Sequence, residues 1–199
     1  MSLAKKIGGI ALIGFSLFPF FGFPAPKEIA FLADLPTRIV FTFIGLYCMG
    51  LLSKEDVVRD IVALGMFLIS LGFVLPVSSA HRIILFLYSL DLVSFLPIPI
   101  IGKIIGRILL LAFLFFLSSF GLAGLLQVNL GLAIVLVVFL SIIEIIAFIF
   151  GSGHILAVIK AILVGCAALF APTLFGTSMD IATAVILGGG IFILNLIFQ

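Results

Sequence analysis

Charge is what this sequence has least of. Only 9% of its 199 residues are Asp, Glu, Lys or Arg, where a water-facing domain carries roughly 25%. A chain this poor in charge has too few polar side chains to cover a surface against water. Tryptophan is absent, and two tyrosines stand against 23 phenylalanines. The usual interfacial belt of Trp and Tyr is therefore nearly missing. That imbalance reads as a compositional habit rather than as a perimeter covered by neighbouring subunits. Cysteine occurs twice, at Cys48 and Cys166, each inside an apolar run. The expectation is two buried thiols acting as small hydrophobes, with no disulfide framework. A net charge of +2 is too small to argue for nucleic acid. Enzyme signatures are missing as well: no GxSxG with a histidine partner, no HExxH and no P-loop. No cluster of Cys, His and carboxylates has metal-ligand spacing, and no cofactor is expected.

What is present is hydrophobic residue after hydrophobic residue, 65% of the chain at a mean hydropathy of +1.57. Lipid is the solvent that suits this composition. The fold class expected is all-α, a polytopic transmembrane helix bundle of about eight spans with minimal extramembrane structure, forming a single integral membrane domain over 1–199. A spanning helix needs about 20 mostly apolar residues. Candidate spans are Leu3–Phe23, Arg38–Ser53, Asp60–Ala80, Arg82–Ile101, Ile104–Leu126, Leu130–Phe150, Ile155–Phe175 and Ile181–Phe198. The second is short and is also readable as a re-entrant or interfacial piece together with Ile29–Ala33. Prolines punctuate the connections, at Pro24, Pro26 and Pro36, and Pro97 and Pro99 interrupt the fourth span near its end. Gly151-Ser152-Gly153 marks a tight turn. Lys5-Lys6 ahead of an apolar run resembles a signal sequence, but Gly22 to Pro26 is a poor cleavage site. The first segment is therefore expected to be a retained helix.

Lys and Arg in the short loops orient such a bundle. With eight spans, one side holds Lys5, Lys6, Lys54, Arg59, Lys103 and Arg107, and the other Lys27, Arg38 and Arg82. The bias places both termini in the cytoplasm of a multi-pass cell-membrane protein.

Ionisable groups inside a span are costly, at about 2.5–3.5 kcal/mol for Asp, Lys or Arg at a helix centre. Three residues therefore call for a reason: Asp91, Glu144 and Lys160. Glu144 and Lys160 lie eight residues either side of Ser152. In a tight antiparallel hairpin, equal offsets give equal depth, so the two are expected to pair. Asp91 sits near the middle of the fourth span, with Tyr88 and Ser94 three residues away on its face and no basic residue at an obvious matching depth. His81 and His154 fall at span ends, where an interfacial place explains them.

Small residues mark close helix contacts: Ala157, Ala161 and Gly165 at intervals of four, Gly102 and Gly106, and Gly188-Gly189-Gly190 in the last span. The triple glycine reads as packing ahead of a hinge.

The function expected is a small transporter or channel that uses Asp91, Glu144 and Lys160 for ion or solute passage. The alternative is a non-catalytic, membrane-embedded structural subunit of a larger multiprotein complex. The partners expected are the lipid bilayer and either further copies of this chain or other membrane subunits.

Overall fold

The computed structural model describes residues 3–17, 35–52, 54–71, 79–96, 98, 100–122, 130–151, 153–176 and 178–198. Among these residues there is no strand. The helices are α1 (Leu3–Leu17), α2 (Leu35–Cys48), α3 (Glu55–Ser70), α4 (Ser79–Leu92), α5 (Ile101–Leu117), α6 (Leu130–Phe150), α7 (His154–Phe170) and α8 (Ile181–Ile197). Ser118–Leu122 extends α5 as a π turn, and Pro172–Phe175 adds one isolated turn after α7.

Neighbours in sequence are neighbours in space. Each helix from α1 to α8 packs on the next, and α8 returns to α4. Elements consecutive in sequence are usually adjacent in space. The middle of the bundle is α4, where every residue from Ile83 to Leu92 is buried. A run that is apolar on nearly every face, Ser89 and Asp91 excepted, belongs in such a place.

Glycines set the closest crossings. A Cβ on Gly9 would stand 2.7 Å from the Gly45 carbonyl oxygen, and one on Gly188 would stand 2.7 Å from that of Ala161. The small residues of α7 and the first of the three glycines of α8 thus meet backbone to backbone. α8 runs unbroken through Gly188-Gly189-Gly190.

Only two described helices are long and apolar enough to cross a membrane: α5 with its extension, Ile101–Phe120, and α6. Three shorter apolar segments are Arg38–Cys48, His154–Phe170 and Ile181–Ile197. The fourth expected span requires correction. α4 ends at Leu92, and Val93 to Leu96 leave the helix. The reason is local: Gly102 and Gly106 open a trough on α5, and a Cβ there would meet Leu96, Ser94 and Val93. That chain segment fills the trough. Pro97, Pro99 and Ser152 lie outside the described residues.

Both chain ends come to one end of the bundle. Lys5 Nζ donates to the Ile197 carbonyl at 2.7 Å, and the Phe198 ring stacks on Tyr47 with centroids 5.2 Å apart. Helices of alternating direction then place the start of α3, the end of α4, the start of α5, the end of α6 and the start of α7 at that same end.

Candidate functional site

At this end of the bundle the buried charges converge. Arg107 stands six residues after Ile101, Glu144 six before Phe150, and Lys160 six after His154. At 1.5 Å per residue each lies about 9 Å inside its helix end. Alternating helix direction turns these equal offsets into one shared depth.

Glu144 is the hub. Its Oε1 receives Lys103 Nζ at 3.0 Å, and its Oε2 receives Arg107 Nη2 at 3.1 Å and Lys160 Nζ at 2.8 Å. The pairing of Glu144 with Lys160 is the contact that symmetry about Ser152 predicts. Lys160 is fully buried, and its ammonium also pairs with Asp91. It donates to Asn195 Oδ1 at 3.2 Å as well. Asn195 Nδ2 closes the ring, donating to Asp91 Oδ2 at 2.6 Å and to the Ile191 carbonyl at 2.8 Å. The three sequence candidates Asp91, Glu144 and Lys160 therefore form one network, bridged by Lys160.

Two expectations about these residues fail. Asp91 is in the last turn of α4, not at mid-helix, and it has a basic partner at its depth, Lys160. The sequence places the interruption of the Arg82–Ile101 span at Pro97 and Pro99, whereas the helix ends at Leu92, nine residues before Ile101. Lys103 and Arg107, counted as loop charges, belong to α5; Arg107 is fully buried and Lys103 only partly exposed. Cys166 is also exposed on the apolar surface, while Cys48 is buried.

Arg107 does more than neutralise charge. Its Nε donates to the Leu90 carbonyl at 2.8 Å and its Nη1 to Ser141 Oγ at 3.2 Å. Leu90 O is one of the last carbonyls of α4, which have no partner within the helix. In a helix continued to Ser94, the Ser94 N–H would bond Leu90 O. Here it donates instead to Asp60 Oδ1 at 3.0 Å. Arg59 Nη2 donates to the Ser94 carbonyl at 3.2 Å and pairs with Asp56 at 3.0 Å. Side chains of α3 and α5 thus satisfy the backbone where α4 stops. Irregular backbone away from water requires such partners.

Within the ion-paired set Lys103, Arg107 and Lys160 face Asp91 and Glu144, three cations against two carboxylates, and Arg59 with Asp56 and Asp60 beside it carries the opposite excess. Beside them is a cavity of about 30 Å³ lined by Arg59, Asp91, Leu92, Lys103, Leu194, Asn195 and Phe198. That is room for about one water-sized occupant.

Four members of the cluster were missed in the sequence. Lys103 and Arg107 are four residues apart, as are neighbours on one helix face, and Ser141 and Glu144 are three apart. Asn195 is a lone amide in the apolar run of Ile191 to Phe198. Each was a readable signal. His81 lies in the first turn of α4, at the opposite end of the bundle, and His154 opens α7, at the cluster's end.

No protein-family model, curated protein or solved structure matches this chain.

Proposed function

We propose that this chain is a multi-pass cell-membrane protein, an eight-span bundle with both termini cytoplasmic, that moves a small ion or solute. Asp91, Glu144 and Lys160 are its switching residues. The observation that supports this is the Lys160 ammonium held between two carboxylates on two different helices, α4 and α6. Such a cation has two alternative counter-charges, so a small relative shift of α4 and α6 changes which one it serves. Lys103, Arg107 and Asn195 set the resting arrangement. Polar groups at this depth are expected to face protein and to mark solute or proton pathways.

The orientation rests on charge. The cluster end carries Lys5, Lys6, Lys54 and Arg59, and the excess of Lys and Arg marks the cytoplasmic side.

Liposomes containing only this chain, loaded with a pH-sensitive dye and given salt gradients of different anions and cations, test the reading. Flux in the wild type that Lys160→Met removes, with the protein still folded and inserted, is the expected outcome. No flux with any ion or proton gradient would defeat it.

The second reading is a structural subunit of a larger assembly. It is favoured by one observation: in the cluster every charged side chain already has a protein partner. Co-purification at fixed stoichiometry with other membrane polypeptides, without flux, would select it.

A further inference from the structure

A second cavity lies apart from the charge cluster. It measures about 460 Å³ and separates α1 and α2 from α8. Ligand sites run from about 300 to 1,000 Å³, so the size is that of a binding cleft rather than a packing fault. Leu12, Phe41, Ile44 and Met66 form one wall, and residues of α8 from Val185 to Ile197 form the other. At 1.5 Å per residue this stretch of α8 covers about 18 Å.

The α8 wall is hollow because it carries glycine. A Cβ on Gly189 would meet nothing within 4 Å, whereas one on Gly190 would strike the Tyr88 hydroxyl. Tyr88 is the polar group of the lining, and its hydroxyl donates to the Ile186 carbonyl. A polar solute would find little else to bond. Val185 and Ile193 are exposed and form the rim, so the mouth opens on the apolar surface.

One end of the cleft is basic. Ile197 lines it, and Lys5 Nζ lies on the Ile197 carbonyl and 5.8 Å from the Tyr47 ring centroid. Lys6, next in the chain, is exposed. A long apolar slot ending at a lysine complements an amphiphile with a long alkyl chain and an anionic head.

We propose that the cleft between α1–α2 and α8 holds one acyl chain of an anionic membrane lipid, with the headgroup at Lys5. The site does not depend on what the charge cluster does.

The chain has two tyrosines and no tryptophan, so in a Tyr47→Phe background Tyr88 is the one tyrosine and reports on the cleft. The protein is placed in phosphatidylcholine vesicles with an increasing small fraction of phosphatidylglycerol or phosphatidylcholine brominated on its acyl chains. Bromine quenches tyrosine on contact. Quenching should saturate, and the anionic lipid should do so at an about fivefold lower fraction than the zwitterionic one, the preference expected of one lysine at the membrane surface. Gly189→Leu, whose Cβ meets nothing within 4 Å, puts bulk into the cleft and should remove the saturating component. Lys5→Gln should leave saturation but erase the headgroup preference. Quenching that rises linearly with lipid fraction, that is equal for both headgroups in the wild type, or that survives Gly189→Leu overturns the proposal. If Gly189→Leu loses its helical circular dichroism, the headgroup contrast between wild type and Lys5→Gln still decides.

Discussion

Lys160 Nζ lies 2.8 Å from Glu144 Oε2, although the two residues are on different helices and separated by the turn at Gly151 and Gly153. Each is six residues from its helix end at that turn. The pair is the core of a larger balance, so substitutions in it act through charge count as well as contact. Glu144→Gln leaves three cations facing one carboxylate, Lys160→Met leaves two facing two, and the double variant leaves two facing one. Glu144→Gln should therefore be the most damaging, at about 3–5 kcal/mol, with the double variant between the singles. Thermal unfolding in detergent measures it. A double variant as damaged as the sum of the singles would show that the two residues do not interact.

Arg107→Lys should not behave as a conservative change. The guanidinium reaches Leu90 O, Ser141 Oγ and Glu144 Oε2 in three directions, and an ammonium on a flexible stem has no such fork. At least one buried acceptor loses its donor, at about 1–3 kcal/mol. Amide exchange should quicken at the end of α4, where the carbonyl of Leu90 is held. Unchanged exchange there would contradict the capping role.

Asp91→Asn separates charge from hydrogen bonding. Asparagine keeps an oxygen that can accept from Asn195, but it offers Lys160 no counter-charge. Folding should persist with a lowered melting temperature, and any ion flux should fall. Wild-type flux in this variant would remove Asp91 from the switch.

Adjacent glycines of α8 should respond differently. Gly188→Val places a Cβ against the Ala161 carbonyl and forces α7 and α8 apart, at about 1–3 kcal/mol. Gly189→Ala meets nothing and should unfold at or above the wild-type temperature, since alanine favours a helix over glycine. Equal destabilisation of the two would mean that α8 does not pack in this rotation.

The start of α8 carries a pH-sensitive cap. Asp180 Oδ1 accepts the Thr183 N–H at 2.7 Å, and hydrogen bonding to the Thr183 side chain, then to this N–H, holds its carboxyl below the usual 3.8. A depressed carboxyl supplies its stabilisation above the unfolded value and loses it as pH falls through the folded one. Exchange of the Thr183 amide should therefore accelerate only below about pH 4, and Asp180→Ala should show the fast rate at all pH values. Exchange independent of pH after correction for its intrinsic rate would exclude the cap.

Composition alone determined the helical class and the apolar surface. With 9% charge, backbone groups must be satisfied within each segment, and helices do that locally. It also determined that Asp91, Glu144 and Lys160 needed partners, because isolated charge in an apolar setting is costly, and hairpin symmetry was enough to pair the last two. What only the tertiary structure decided was where α4 stops and what gathers there. Hydropathy cannot see the break at Leu92, since Val93 and Leu96 are as apolar as the helix before them. The break exists because Gly102 and Gly106 on the next helix open a trough for that chain and Asp60, Arg59 and Arg107 satisfy its backbone. The same rotation of α5 carries Lys103 and Arg107 inward, where by sequence they stood among loop charges. Helix rotation is set by side-chain packing between elements, and segments that are apolar on every face carry little record of it in their own order of residues.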